Sequence, residues 1–301
     1  MNRLLIVLIF TSATASLSAQ SVQSGASLTP TNFSRAFSLD DDLSPLMFSP
    51  GTSLRGLGGD ASFQSLGIRG SRSKDVRVSL EGVPLNSPSS GDFDFGMLAP
   101  FGLGEGRIIR GGSSWTSSHP SGEVMLKLPS HKDIRSRLAV GSYQSLLFGL
   151  ETPFATFSFD RADNDYRDHN SHSRINARTW YRKNNFQTWL QLLYVDLELP
   201  GSTEFVSLPS RTQTLRPTAA LQWRNENWEA NARADFQNQT VRSEGTNRWY
   251  SSGLKLNYRN NWTDAIAFEV ALEESIDKLV SDSFSSDFRS TTSLNLTSLI
   301  S

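Results

Sequence analysis

The feature that most constrains this chain is a strict alternation of apolar and polar residues in its C-terminal half. Successive side chains of a β-strand point to opposite faces, so the pattern predicts amphipathic strands of about 9–11 residues. In the segment 214–225 the apolar face carries Leu215, Pro217, Ala219, Leu221 and Trp223. The opposite face carries Arg216, Thr218, Gln222 and Arg224. Segments 228–237, 253–259 and 265–274 alternate in the same way.

Two architectures are built from such strands, a membrane β-barrel and a secreted β-sandwich. The connections favour the barrel, because short hairpin turns at 184–185 and 225–227 alternate with longer polar loops at 163–172, 197–213 and 238–248. Short turns on one rim and long loops on the other are typical of outer-membrane barrels. Aromatic residues near strand ends would suit the girdles at the lipid interface, and they are Trp180, Tyr181, Trp223, Trp228, Trp249, Tyr250 and Trp262.

Composition excludes several other classes. Hydrophobic residues make up 37% of the 301 residues, and a long apolar run occurs only at the N-terminus, which excludes a bundle of transmembrane helices. Cysteine is absent, which excludes a disulfide scaffold, a thiolate zinc site and a cysteine nucleophile. The net charge of −1 gives no support for nucleic-acid binding.

The N-terminus has the pattern of an export signal. Arg3 precedes the apolar run "LLIVLIF", and small residues follow it up to Ala19. Residues 1–19 are therefore predicted to be a cleaved signal peptide rather than a membrane anchor, since the run is too short to span a bilayer. The mature chain is expected to function in or beyond the bacterial periplasm.

The mature chain divides by composition into two halves. Fifteen of the 21 glycines lie between Gly51 and Gly122, whereas six of the seven tryptophans follow residue 179. We place the boundary at 130–133. This division gives a polar segment 20–43, a small α+β domain 44–133 and a strand region 134–301.

Four short motifs follow one another in the glycine-rich domain. They are "IRGS" from Ile68, "VRVSLEGVPLN" from Val76, "RIIRGG" from Arg107 and "SGEVMLKL" from Ser121. In this order they resemble the plug domain of TonB-dependent outer-membrane receptors, the cobalamin-transporter-like group in particular. With the strands that follow, the resemblance covers about residues 40–300.

The resemblance implies a plug inside an antiparallel transmembrane β-barrel. Receptors with a plugged lumen have about 22 strands, whereas residues 135–301 supply about ten, so the chain is expected to be a fragment or truncated product. The implied function is import of a scarce, large substrate such as a metal chelate, cobamide or oligomer. The implied partners are a TonB-type energy-coupling protein, outer-membrane lipid and a small or medium-sized substrate.

Energy coupling would involve the segment 20–43, in which "ASLTP" at 26–30 is a candidate TonB box. The alternative from another class is a secreted or surface-bound β-rich binding protein without a pore. No nucleic acid and no cofactor are expected.

The resemblance also implies two sets of functional residues. Arg69 and Arg110 match arginines that latch the plug to barrel glutamates, and their alternative is an exposed turn position. The loop 86–94 would face the substrate, so Pro88, Ser89, Ser90 and Asp92 are the predicted ligand-facing residues. The alternative for that loop is an ordinary surface loop.

The sequence gives little support for a metal site or for an enzyme. The acidic stretch from Asp163 to His172 offers oxygen ligands of the kind that calcium prefers. A solvated polar loop explains the stretch better, and no metal site is assigned. Glycines 102, 104 and 106 precede a strand rather than a helix, so they do not form a dinucleotide fingerprint. The chain is therefore predicted not to be an enzyme.

Overall fold

The structure is a computed structural model, and the residues it describes fall in fourteen ranges. They are 31–32, 49–56, 63–87, 90–99, 101–104, 106–110, 121–130, 132–141, 144–163, 171–199, 210–241, 245–263, 266–281 and 287–300. The predicted signal peptide 1–19 and the candidate TonB box 26–30 lie outside them. So do Pro88 and Ser89 of the predicted substrate loop.

Seven of the described strands come before residue 130. They are β1 (Thr31–Asn32), β2 (Thr52–Gly56), β3 (Gln64–Ile68), β4 (Val76–Leu80), β5 (Val83–Pro84), β6 (Gly106–Arg110) and β7 (Gly122–Leu126). Five of them form a sheet in the order β1-β6-β7-β4-β5, and β2 pairs with β3. Strands β4 and β7 are parallel, whereas their other neighbours are antiparallel.

The position of β4 between two neighbouring strands follows from its sequence. All five residues of Val76–Leu80 are buried, and the apolar ones join one core with Ile108, Val124 and Leu126. The hairpin from β4 to β5 turns through Glu81 and Gly82, which both have positive φ (52° and 83°). Such a turn matches the right-handed twist of the strands it connects, and it carries Glu81 to the edge of the domain.

Helix contributes little to the described part of this domain. Its described helical residues are two 3-10 turns, Ser73–Asp75 and Phe95–Met97. Within the described residues of the whole chain, no helix is long and apolar enough to cross a membrane.

The remaining ten strands form one antiparallel sheet, which we call the wall. They are β8 (Arg135–Val140), β9 (Leu146–Glu151), β10 (Ala155–Asp163), β11 (Ser171–Lys183), β12 (Phe186–Leu199), β13 (Ser210–Arg224), β14 (Trp228–Val241), β15 (Gly245–Thr263), β16 (Ile266–Ser281) and β17 (Asp287–Ile300). They lie side by side in chain order, with β8 and β17 at the two edges. The proposed boundary at 130–133 falls between β7 and β8.

The wall confirms the predicted short turns and corrects the loop lengths. Residues 184–185 and 225–227 connect paired strands. Residues 238–248 were expected to be a loop, but β14 and β15 continue pairing up to Val241 and Gly245. Polar residues occupy both faces there, so alternation gave no signal. Strands β11 to β17 accordingly have 13–19 residues, longer than predicted.

The wall has its polar residues inside. On β13 the polar side chains of Arg216, Thr218 and Gln222 are buried at 3%, 4% and 9% exposure, whereas Leu221 and Trp223 are 46% and 39% exposed. A β-sandwich would bury the apolar face instead. The arrangement is that of a barrel with an apolar outer band and a polar interior, and we call the polar side the inner face.

The aromatic residues divide between the two faces. Tyr181, Trp223, Trp228 and Tyr250 are exposed on the outer face, as a lipid girdle requires. Trp180 was expected to join them but is wrongly assigned: its exposure is 6%, and it packs with Trp189 into the core of the N-terminal domain. Trp180 directly precedes the outward-facing Tyr181, so the alternation places it on the inner face. Trp249 directly precedes the exposed Tyr250 and is wrongly assigned for the same reason.

Candidate functional site at the inner face of the wall

The N-terminal domain packs directly against the inner face. A Cβ atom added to Gly149 on β9 would lie 2.7 Å from the ring of Phe101. One added to Gly102, which has φ +78°, would lie 2.6 Å from the Cβ of Thr156 on β10. At both points the domain and the wall approach closer than a side chain permits.

Arginines on β11 donate hydrogen bonds to main-chain carbonyl groups of the domain. Arg174 donates from Nη1 to the oxygens of Gly96 (2.8 Å) and Leu98 (3.3 Å). Its other nitrogens, Nε and Nη2, bind Asp160 at 2.8 and 3.0 Å, and His172 Nε2 lies 3.2 Å from the same carboxylate. The carboxylate therefore fixes the guanidinium in the direction of the carbonyl groups.

Arg178 lies four residues farther along the same strand and also binds main-chain carbonyl groups of the domain. It is 3% exposed and donates to the oxygens of Phe101 (3.2 Å) and Ala99 (3.3 Å). Asn176 lies between the two arginines and binds Ala99 N through Oδ1 at 3.0 Å and Met97 O through Nδ2 at 3.3 Å. The segment 96–101 is thus bound through its backbone.

The third arginine of β11 contacts the turn between β4 and β5. Arg182 Nη2 binds Glu81 Oε1 at 2.7 Å, and Nη1 donates to Pro129 O at 3.3 Å. The same carboxylate oxygen accepts Leu128 N at 2.7 Å. Gln222 donates from Nε2 to Glu81 O. Glu81 therefore connects the end of β4 and the residues after β7 to the wall.

Two further arginines extend the contact to β13 and β14. Arg216 forms a buried ion pair with Asp235, whose other oxygen accepts Thr218 Oγ1 at 3.0 Å. Arg216 Nη2 also lies 3.5 Å from Asn86 O, and Arg233 Nη1 donates to Pro84 O at 2.8 Å. A buried arginine without a carboxylate would cost several kcal/mol, so Asp235 makes this position possible.

A cavity of about 1000 Å³ lies beneath these contacts, at the rim with the short turns. Arg77 and Glu123 line it from the domain, and Arg224, Glu229 and Lys255 line it from the wall. This mixed-charge space gives water access to the underside of the domain.

The predicted latch residues lie elsewhere. Arg69 is in the exposed turn after β3, at φ 54°. For Arg110, the last residue of β6, only the backbone is described, paired with Gly122. The structure brings neither of them to a wall carboxylate among the described residues, and their latch role stays a prediction.

The described part of the predicted substrate loop is organised by Asn86. Its Oδ1 accepts Val78 N at 2.8 Å, and its Nδ2 donates to Val76 O and Gly91 O, both at 2.9 Å. Ser90 is exposed and donates its hydroxyl to Asp92, which is half-buried. Ligand contact by Ser90 and Asp92 stays a prediction.

Asp94 closes this loop. Its Oδ1 accepts Gln64 N at 2.9 Å and Gly96 N at 2.8 Å. Burial raises the pKa of Asp94 to about 6, an effect that outweighs the two backbone hydrogen bonds. The loop is therefore anchored by a carboxyl group whose charge depends on pH near neutrality.

The acidic stretch from Asp163 to His172 gives no metal centre among the described residues. No described cluster of three or more histidines and carboxylates is arranged to hold a metal ion. The sequence-based question about calcium concerns residues 164–170, which lie outside the described ranges.

The N-terminal domain matches a known protein family. Residues 43–122 match the family described as the TonB-dependent Receptor Plug Domain. Residues 43–122 therefore form a plug domain of the TonB-dependent receptor type. We call the N-terminal domain the plug, and the arginine contacts described above hold it to the wall. No curated relative matches the chain by sequence.

Several solved structures share the fold over most of this chain. The FrpB iron transporter from Neisseria meningitidis has a TM-score of 0.61 at 13% identity, over 83% of this chain and 48% of that one. The ferric citrate transporter FecA has a TM-score of 0.61 at 14% identity, over 92% and 54%. The ferric yersiniabactin receptor FyuA from Yersinia pestis has a TM-score of 0.53 at 14% identity, over 89% and 52%.

The chain thus spans about half the length of these solved structures. At this level of identity the similarity concerns the fold. TonB-dependent receptors are outer-membrane β-barrel proteins of Gram-negative bacteria, and the exposed apolar band of the wall lies on the face that such a barrel presents outward. Membership of the cobalamin-transporter-like group stays a prediction.

Sequence reasoning missed the wall arginines. Arg174, Arg178 and Arg182 recur every fourth residue on one face of a single strand. Three cations on the inner face of a barrel strand require partners inside the lumen, and the plug is what fills it. This spacing of arginines could have indicated the contact between the wall and the plug.

Proposed function

We propose that this receptor captures a scarce, large substrate at the cell surface and admits it by rearrangement of the plug, driven by a TonB-type energy-coupling protein. The substrate would first contact the outer loops and the plug loop 86–94. No bond of the substrate is broken. A chelate, a cobamide and an oligomer are all of suitable size.

The observation that supports this proposal most directly is the chemistry of the contact between plug and wall. Most of the polar bonds run from wall arginines to plug carbonyl groups. Two of these arginines, Arg174 and Arg216, are also paired with carboxylates of the wall itself. When the plug moves, the carbonyl groups can bind water instead. The wall then retains its ion pairs Arg174–Asp160 and Arg216–Asp235, so displacement leaves these two arginines with their counter-charges.

Growth assays test the import function. A strain that lacks the gene, and one that lacks the TonB-type protein, would be grown with ferric citrate, a ferric catecholate, cyanocobalamin or linear hexasaccharides as the limiting nutrient. We expect both deletions to impair growth on the same nutrient. Normal growth of the receptor deletion on every nutrient would contradict the proposal.

A crosslink tests plug movement. The chain has no cysteine, so a pair at positions 99 and 176, where Ala99 N binds Asn176 Oδ1, would form the only disulfide. Uptake should stop under oxidation and resume after reduction, while each single-cysteine variant imports normally. Uptake by the oxidised pair would show that this segment of the plug need not separate from the wall.

A further inference from the structure

A groove of about 900 Å³ crosses the outer face of the wall from β10 to β16. Along its lower edge, which is nearer the rim with the short turns, strand pairing aligns Leu190, Ala219, Ala234 and Ile276 in one outward row. The two alanines carry only a methyl group, whereas Leu190 and Ile276 are 54% and 40% exposed. The sequence therefore places a depression between large apolar side chains.

The upper edge of the groove is aromatic and ends at a cation. Phe236 and Tyr250 are paired across β14 and β15, and their ring centroids lie 5.0 Å apart. Tyr250 is paired in turn with Lys278 of β16, which lines the groove and is exposed. Arg248, the next outward residue of β15, is also exposed. Because Arg248 is paired with Val280, it is a diagonal neighbour of Lys278, and the two long side chains can reach one ligand.

Neither cation has a counter-charge among the described residues. Asp277 adjoins Lys278 in sequence, but the alternation places its side chain on the inner face. The nearest outward carboxylate described on β16 is Glu274, four residues and about 13 Å away along the strand. Asp235 also borders the groove, but its side chain is buried on the inner face and paired with Arg216. The two cations can therefore bind an anion that the chain does not supply.

Pro217 interrupts the sheet in the middle of the groove. Strands β13 and β14 are paired at Leu215–Asn238 and again from Thr218–Asp235, but not at Pro217, because proline has no N–H group to donate. The carbonyl group of Phe236 opposite thereby loses its donor in the ladder. Inside a bilayer such a group is costly, and proline is otherwise confined to edge strands. A ligand that stays in the groove would cover this interruption.

From these features we propose that the groove binds a phosphorylated lipid of the outer leaflet, with the phosphate at Lys278 and Arg248 and an acyl chain along the apolar floor. Short turns face the periplasm in such barrels, and both cations lie near the opposite ends of their strands. Phosphate oxygens accept charge-assisted hydrogen bonds from lysine and arginine, and Tyr250 suits the lipid interface. The proposal rests on the outer-membrane location and is independent of the import function.

Native mass spectrometry of the whole receptor, purified from outer membranes in detergent and freed of lipid, tests the proposal. The probes are lipid A with its phosphates, lipid A without them, and phosphatidylcholine. We expect one phosphorylated lipid A molecule to bind at least ten times more tightly than either of the other two lipids.

Matched variants locate the site. Lys278→Gln and Arg248→Gln should each weaken binding of phosphorylated lipid A at least fivefold, and Lys278→Arg should preserve it. Ala234→Phe fills the groove without touching either cation and should weaken binding to a similar extent. The controls are Lys183→Gln, which removes an exposed cation near the rim with the short turns, and Ala230→Phe, which lies on the same strand as Ala234 but outside the groove. Both controls should bind as the original protein does.

Three results would overturn the proposal. They are equal binding of phosphatidylcholine, absence of lipid binding, and unchanged binding in the glutamine variants. Loss of binding in Ala234→Phe alone would retain the groove for acyl chains but contradict the assignment of the phosphate. Heat modifiability on gels establishes that each variant is folded before its binding is compared.

Discussion

The interior of the plug and its contact with the wall are stabilised in different ways. Inside the plug, Ile68, Val124 and Leu126 are fully buried in an apolar core, and β4 is bonded on both sides. Between plug and wall, the polar bonds are made by arginines that reach backbone carbonyl groups. Apolar burial is lost completely when a core opens, whereas a carbonyl group can exchange one donor for water. The difference indicates a plug that moves as a coherent body.

The largest effect is expected inside the plug. Arg77 and Glu123 form a buried ion pair at 3.4 Å, and Ser79 Oγ donates to the same carboxylate at 2.8 Å. Glu123→Gln leaves the guanidinium buried without a counter-charge, which should lower the free energy of opening of the plug sheet by about 3 kcal/mol. Hydrogen exchange of the β4 and β7 amides in the whole receptor would measure it. The double variant Arg77→Met with Glu123→Met should be less destabilised, and an equal loss in both would contradict the ion-pair explanation.

A smaller and local effect is expected at the contact with the wall. Arg182→Met removes the bonds to Glu81 and Pro129, while Leu128 N keeps its acceptor. The amides of 81–86 and 128 should exchange about tenfold faster, corresponding to about 1–2 kcal/mol. The amides of β6 and β7 should stay protected. Lys183→Met, at the exposed neighbouring position, is the control. Equal acceleration throughout the plug sheet would show that the two regions are not independent.

Protonation of Asp94 should affect only the loop 86–94, which this residue closes. The pKa of Asp94 is raised from 3.8 to about 6, so the folded loop binds a proton more tightly than the unfolded chain. The contribution of this group to stability is therefore greatest below pH 3.8, declines as the pH rises to about 6 and is constant above it. Asp94→Asn keeps an acceptor for Gln64 N and Gly96 N and should remove this dependence. The hydrogen-exchange rates of the Gln64 and Gly96 amides, corrected for intrinsic pH effects, would measure this pH dependence. Identical pH profiles in the original protein and in Asp94→Asn would contradict the role of Asp94.

The smallest effect is expected on the plug surface. Arg72 and Asp75 form an ion pair in which the arginine side chain is 73% exposed. Arg72→Ala should change the free energy of opening by less than about 0.5 kcal/mol, because solvent screens the pair. A loss as large as that of Arg182→Met would show that exposure is a poor guide to these contacts.

Much of this fold could be read from the sequence, because the wall strands alternate strictly and the plug motifs stand in order. Leu221 and Trp223 alternate with Gln222, and that pattern set the strand and its two faces. Alternation does not say which face is inside, and it gave no reason to place Trp180 on the inner face rather than in the girdle. The strand extensions at 238–241 and 245–248 were missed because polar residues occur on both faces there.

The functional site was harder to predict than the fold. Residues with a known motif, such as Arg69, could be named, but contacts between distant segments could not. Arg216 and Asn86 are 130 residues apart, and only the packing of the plug on the wall brings them together.

The preference of the wall arginines for carbonyl groups has a consequence for how such receptors diverge. An arginine that binds a main-chain oxygen places no demand on the side chain of that residue. As far as these contacts are concerned, positions such as 84, 96 and 98 can therefore change over evolutionary time and still dock, provided that the course of the backbone and the packing of the plug are kept. Plug and barrel sequences are then free to drift apart, and recombination between related genes could join a plug to an unfamiliar barrel that still accommodates it.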